Sequence, residues 1–151
     1  MIISKLILKT ILFLFILYSS SHSEVKFEAS KIDLKENGNI IEATDSRTIL
    51  SLKKISISSY KAIYNKEKKF IEFSSNVFFS DKKNNVEIKS DDIKYNIKED
   101  IIYSEHNTEI IIKNNYKIKS KEIFYDRLNN KLYSEKETEI VDKENNIYKL
   151  K

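Results

Sequence analysis

The side chains that could do chemistry are few, and their spacing works against them. His106 lies in the polar stretch Glu105-His106-Asn107, and His22 is the only other histidine. One histidine cannot complete a metal site, which needs three or four converging ligands, so His106 reads as a solvated surface group. Asp91-Asp92 and Glu135-Lys136-Glu137 could be imagined as paired carboxylates for acid–base work. They fall in stretches patterned as turns or polar faces, where solvated charge is the default. No serine stands with a histidine and an aspartate in a nucleophile arrangement. The sequence has no cysteine, which excludes thiol catalysis, zinc–thiolate sites and disulfides. One glycine and no proline exclude Gly-rich phosphate loops. The chain reads as a non-enzyme that uses no cofactor and no metal.

Charge is equally uninformative about chemistry. The formal net charge is +4, and two of the positive residues, Lys5 and Lys9, lie in the first 23 positions, where there are no acids. The rest is close to neutral, which is not the clustered basic face that nucleic acid requires. Hydrophobic residues make up 40% of the 151-residue chain and include 9 Tyr and 8 Phe, enough for the core of a single domain.

Position is more telling than abundance. After residue 23 the sequence repeats. Phe27-Glu28-Ala29-Ser30-Lys31-Ile32-Asp33-Leu34 lines up with Ile57 to Tyr64, Ile88 to Tyr95 and Ile118 to Tyr125, at intervals of 30, 31 and 30 residues. Seven residues beyond each segment stand Ile41, Ile71, Ile102 and Leu132, followed two later by Ala43, Phe73, Ser104 and Ser134. The units close with Val77, Thr108 and Thr138 leading to Phe79, Ile110 and Ile140. Asn84-Asn85, Asn114-Asn115 and Asn145-Asn146 keep the same phase, with Lys53-Lys54 at the first equivalent place.

These positions must be held by strands. Ile88 and Ser90 are two apart and share a face, as do Ile93 and Tyr95. The step of three between the pairs breaks parity, and a bulge or corner there would turn both pairs toward one interior. No stretch keeps helical spacing over three turns. Asparagine tolerates left-handed turns, which is how a β-chain manages with Gly38 alone. Each unit is then three or four short strands. A 30-residue unit cannot bury its own apolar face, so the units must stack. The final residues, Ile147 to Lys151, begin a fifth unit with Tyr148 in phase with Ile118, leaving a strand edge open to another chain.

The first 23 residues read differently. Lys5 and Lys9 form a basic start, Ile11 to Tyr18 an apolar run of eight, and Ser19 to Ser23 a small polar end. This pattern predicts a secretory signal peptide over 1–23, cleaved after Ser23, with the mature domain over 24–151. The rival reading is an uncleaved membrane anchor, which needs about 20 apolar residues. No cysteine follows, so lipid attachment of the lipoprotein kind is unavailable.

Residues 24–151 resemble the OstA-like periplasmic family of lipopolysaccharide transport proteins, which includes LptA and the N-terminal domain of LptD. The likeness is carried by Ser90-Asp91-Asp92-Ile93-Lys94-Tyr95-Asn96 and Ser120-Lys121-Glu122-Ile123-Phe124-Tyr125-Asp126. Asn39-Ile40-Ile41-Glu42-Ala43 and Asn130-Lys131-Leu132-Tyr133-Ser134 add to it. One departure is the glycine that the family places before the closing strand, which Ser75-Asn76-Val77, His106-Asn107-Thr108 and Lys136-Glu137-Thr138 all lack.

The resemblance implies an all-β, antiparallel jellyroll folded into a V, with an apolar groove between two sheets that takes the acyl chains of lipopolysaccharide. It implies a periplasmic transfer component near the outer membrane, joined end to end to other jellyroll proteins of the same transport system and membrane-associated through them. On that basis the groove-lining residues are Phe27, Ile32, Leu34, Ile41, Ile57, Phe73, Ile88, Ile93, Ile102, Ile118, Ile123 and Leu132. The plain alternative for each is ordinary core. Tyr64, Tyr95 and Tyr125 read as a ladder of stacked rings. Two other readings stand beside this one: a membrane-anchored LptC-like relative that keeps residues 1–23, and a structural or adhesive surface β-repeat that binds no lipid.

Overall fold

Period-two alternation of β-branched and aromatic residues, interrupted by Asn- and Asp-rich turns, builds a molecule almost entirely of antiparallel strands. The computed structural model describes residues 25–150. The segment 1–23 read as a signal peptide lies outside the described residues. The strands are β1 (Lys26–Glu28), β2 (Lys31–Lys35), β3 (Ile40–Leu50), β4 (Ile55–Asn65), β5 (Phe70–Asp81) and β6 (Val86–Asn96). They continue with β7 (Ile101–Ser104), β8 (Thr108–Ile112), β9 (Tyr116–Ser120), β10 (Ile123–Asp126), β11 (Lys131–Tyr133), β12 (Thr138–Asp142) and β13 (Ile147–Leu150). Every pairing is antiparallel, and the sheet does not close into a barrel.

Each 30-residue unit is two passes of chain, and each pass bends at a corner. The first passes are continuous strands of 11 or 12 residues, where the sequence suggested shorter ones. In the later units the corner separates two strands, as β7 and β8 are separated at residues 105–107. The corner falls at the three-residue step. Ser74 faces Asp92 and Val77 faces Ser90, so Ser75-Asn76 bulge against Asp91. Parity is restored across the bend, and Ile88, Ser90, Ile93 and Tyr95 are all buried.

The corners divide the structure into two facing sheets. One holds β1, β8, β9, β12, β13 and the corner-to-end halves of β3 to β6 that contain Ile57, Phe79 and Ile88. The other holds β2, β7, β10, β11 and the halves that contain Ala62, Phe73 and Ile93. The fold is jellyroll-like and all-β.

Turns without glycine use other means. Lys54, Asn85, Asn114 and Asn145, at or beside the repeated turn positions, adopt φ of 56°, 54°, 53° and 65°. At the first of the three corners that lack the expected glycine, Ser75 and Asn76 are themselves left-handed, with φ of 65° and 56°. That strain substitutes for glycine and lets β5 run unbroken. Asp and Asn side chains brace the turns from below: the Asp142 carboxylate accepts from the backbone N–H of Glu144 and Asn146, and Asn96 accepts from Lys98 and Glu99.

Candidate functional site

The interior is built from rows that cross the strands in register. In one sheet the row runs Phe27, Thr48, Ile57, Phe79, Ile88, Ile110, Ile118, Ile140, Tyr148, each directly opposite the next. In the other sheet it runs Leu34, Ile41, Tyr64, Ile71, Tyr95, Ile102, Tyr125, Leu132. Equivalent positions of successive units therefore point the same way, and the two rows face each other. Phe27 meets Tyr64 at 6.1 Å between ring centres, and Phe79 meets Tyr125 edge-on at 6.5 Å.

All twelve residues predicted to line a groove lie on these inward faces. Ile57, Phe73, Ile88, Ile93, Ile102, Ile118 and Ile123 are buried, and Phe27, Ile41 and Leu132 are half-buried against them. Ile32 and Leu34 share the inward face with Ala43 and Ile41, yet they are 48% and 66% exposed. The reason is their place on β2, an edge strand with only β3 beside it.

The tyrosines differ from expectation. Tyr64, Tyr95 and Tyr125 do not stack, because Ile71 and Ile102 stand between them and the rings are two strands apart, roughly 9.6 Å. The stacked ladder is on the outer face instead. Tyr103, Phe124 and Tyr133 lie on adjacent strands with ring centres 4.4 and 5.0 Å apart.

The ends of the two sheets farthest from the corners are joined by charge. Arg127 is 5% exposed. Its Nε donates to Asp81 Oδ2 at 2.8 Å, and its Nη1 donates to both carboxylate oxygens of Asp100 at 2.8 and 2.7 Å. Nη2 donates to the Lys53 carbonyl at 3.0 Å. Lys53 Nζ in turn donates to the Ile97 carbonyl at 2.9 Å and lies 3.2 Å from Asp100. The Tyr95 hydroxyl donates to Asp100 and that of Tyr125 to Asp81. Asp81 ends β5 and Lys53 lies in the turn between β3 and β4, both on one sheet, while Asp100 and Arg127 lie in turns of the other, so these bonds close the mouth of the V.

Electrostatics follows the geometry. Burial alone would raise the carboxyl groups of Asp81 and Asp100, but hydrogen bonds and charge from Arg127 outweigh it. Tyr95 adds a donor to Asp100 and backbone N–H groups add donors to Asp81, and both acids are held below their usual range. Burial works against the Arg127 charge too, and the two carboxylates more than offset it, raising the guanidinium further. The tyrosine hydroxyls are pushed up, first by burial and then by the neighbouring carboxylates.

The sequence reading did not single out Arg127, Asp81, Asp100 or Lys53. A signal was present. Asp81 follows Val77 and Phe79 at intervals of two, Arg127 follows Ile123 and Tyr125, and Asp100 precedes Ile102 and Ser104. Each of these three charged residues thus continues an inward parity, and such charges can be buried only together.

The imagined catalytic groups are dispersed. His106 Nδ1 pairs with Asp92 on the exposed corner. Glu135 and Glu137 are exposed in the bend before β12. Among the described residues no three His, Cys, Asp or Glu side chains are grouped to hold a metal. A shallow depression of about 640 Å³ lies on the outer face, between Lys89, Glu109, Lys119 and Glu139, where cross-strand charges alternate.

Comparison with known proteins returns a consistent picture. The family described as lipopolysaccharide-assembly, LptC-related, matches residues 16–132. No curated protein matches. Among solved structures, this chain is similar to LptH, the LptA-homologous periplasmic component of the conserved lipopolysaccharide transport device from Pseudomonas aeruginosa. The two are 10% identical, over 84% of this chain and 94% of that one, with a TM-score of 0.66. At that identity the likeness concerns the fold.

Proposed function

This chain belongs to the LptC-related family of lipopolysaccharide assembly, and from that premise we propose that it carries the acyl chains of lipopolysaccharide between its two sheets. It is a transport component, not an enzyme. The observation that carries the reading is the unbroken register of the two inward rows. An acyl chain gains about 0.8 kcal/mol per CH₂ moved out of water, and a wall of constant cross-section lets it slide without a deep trap. The phosphorylated sugar stays outside in water.

In this reading the twelve inward residues named above are the walls. The edge strands β2 and β13 are where further jellyroll units of the same system would add. Residues 1–23 deliver the chain to the periplasm.

Photo-reactive side chains at Ile93, Ile123 and Leu132 test the proposal. Irradiation in cells is expected to give lipopolysaccharide adducts from these inward positions. Adducts from none of them would leave the structural or adhesive surface repeat as the better reading.

One observation favours a membrane-anchored form of the same function. The family match begins at residue 16, upstream of Ser23, inside the apolar run. An anchored chain predicts that the mature protein keeps residues 1–23, and intact mass measurement decides it: a start at Glu24 restores the cleaved form.

A further inference from the structure

Along their middle the inward rows are fully packed, with Ile57, Ile93 and Ile110 at zero exposure. No acyl chain reaches them while the sheets stay as they are. The chain passes from one sheet to the other at every corner, unbroken in β3 to β6, so the corners tether the two sheets and the far ends, at the mouth, are where they can part. That is where the charged cluster sits. We propose that Arg127, Asp81, Asp100 and Lys53 form a latch that must open for acyl chains to enter and close for them to be held dry. The proposal rests on the acyl-carrying reading above and adds its gate.

Three features of the latch suit it to opening. First, the Arg127–Asp100 pair sits on one lip, and the bonds that cross run between the sheets: Arg127 holds Asp81 and the Lys53 carbonyl across the mouth, and Lys53 holds Asp100 and the Ile97 carbonyl in return. Second, the seam is ionic where the rest of the interior is apolar. An apolar seam loses its whole stabilisation when water enters, whereas separated charges recover hydration, so a charged closure opens at lower cost than an apolar one of the same area. The cluster holds two positive and two negative groups, so it closes without net charge. Third, the turns that carry Lys53 and Arg127 each present an unburied leucine, Leu52 at 79% and Leu128 at 71% exposure. A single exposed leucine is ordinary. Here one stands on each lip, where an arriving acyl chain makes first contact.

The absence of native cysteine makes the mouth easy to probe. The double variant L52C/L128C changes only two exposed side chains and leaves the latch intact. Spin labels on the two cysteines report the width of the mouth, and a short bis-maleimide bridge between them locks it. Loading is followed with lipopolysaccharide carrying a diazirine on one acyl chain, with adducts mapped by mass spectrometry.

The expected result is that lipopolysaccharide lengthens the inter-label distance, that its deacylated oligosaccharide does not, and that the bridge lowers adducts on the inward rows by roughly tenfold or more. Adducts on those rows with an unchanged distance and no effect of the bridge would overturn the latch while leaving carriage standing. No adducts on the inward rows even without the bridge would overturn carriage, and the latch with it.

Discussion

At the scale of single residues, Arg127 decides how the two sheets meet. It makes four hydrogen bonds to three residues, and its removal would leave Asp81 and Asp100 buried without a matched cation. The acids set a pH window. Their folded pKa lies below the ordinary aspartate value, so the stability they contribute is fully present above about pH 4. It is lost as pH falls through the lower folded values. Thermal unfolding is therefore expected to be flat from neutral pH down to about 5 and to fall steeply below about 4. D81N/D100N is expected to start less stable and to show a shallower acid decline. Equal slopes for the two proteins would refute the assignment. Thr48 is the opposite case. Its hydroxyl is buried in the inward row with no hydrogen-bond partner, so nothing polar compensates its burial there.

At the scale of elements, the hydroxyl groups of the corners and the outer aromatic ladder fix the angle and edge of the sheets. Ser90, Ser104 and Thr108 bond one another, and 30 residues later Ser120 bonds both Ser134 and Thr138. Both sets sit where the strand breaks at the bend, so a compact hydrogen-bonded cluster replaces the missing glycine turn. The Tyr103–Phe124–Tyr133 ladder ties β7, β10 and β11, which are only three or four residues long. Strands this short make few backbone bonds, and stacked pairs add about 0.5–1.5 kcal/mol each beyond area burial. F124S is accordingly expected to destabilise the protein by about 2 kcal/mol. Hydrogen exchange should speed up first in 101–104, 123–126 and 131–133, while the β3 to β6 core keeps its protection. Uniform acceleration across both regions would argue against a local role.

At the scale of the whole molecule, the strand class, the unit length and the inward faces were legible in the sequence. Their cause is local: side chains alternate on a strand, and a 30-residue period can be counted. Ile57, Ile88 and Ile118 align across the sheet because equal spacing in sequence becomes equal register when every connection is a tight antiparallel turn. The bend at the three-residue step was legible for the same reason. Which charges would meet was not. Asp81 and Arg127 are 46 residues apart, and Asp100 and Arg127 are 27 apart. Nothing local states that their turns meet, since that depends on how far the two sheets fold toward each other at the corners. The stacked rings were half legible: parity turns Tyr95 inward with Ile93 and Tyr103 outward between Ile102 and Ser104, but only the order of strands sets Tyr103, Phe124 and Tyr133 side by side. The sequence alone thus determined the repeat, the strands and their oily faces, since these arise between neighbours along the chain. Tertiary structure alone decided the ionic closure of the mouth and the exposure of Ile32 and Leu34, since both depend on which strands end up side by side.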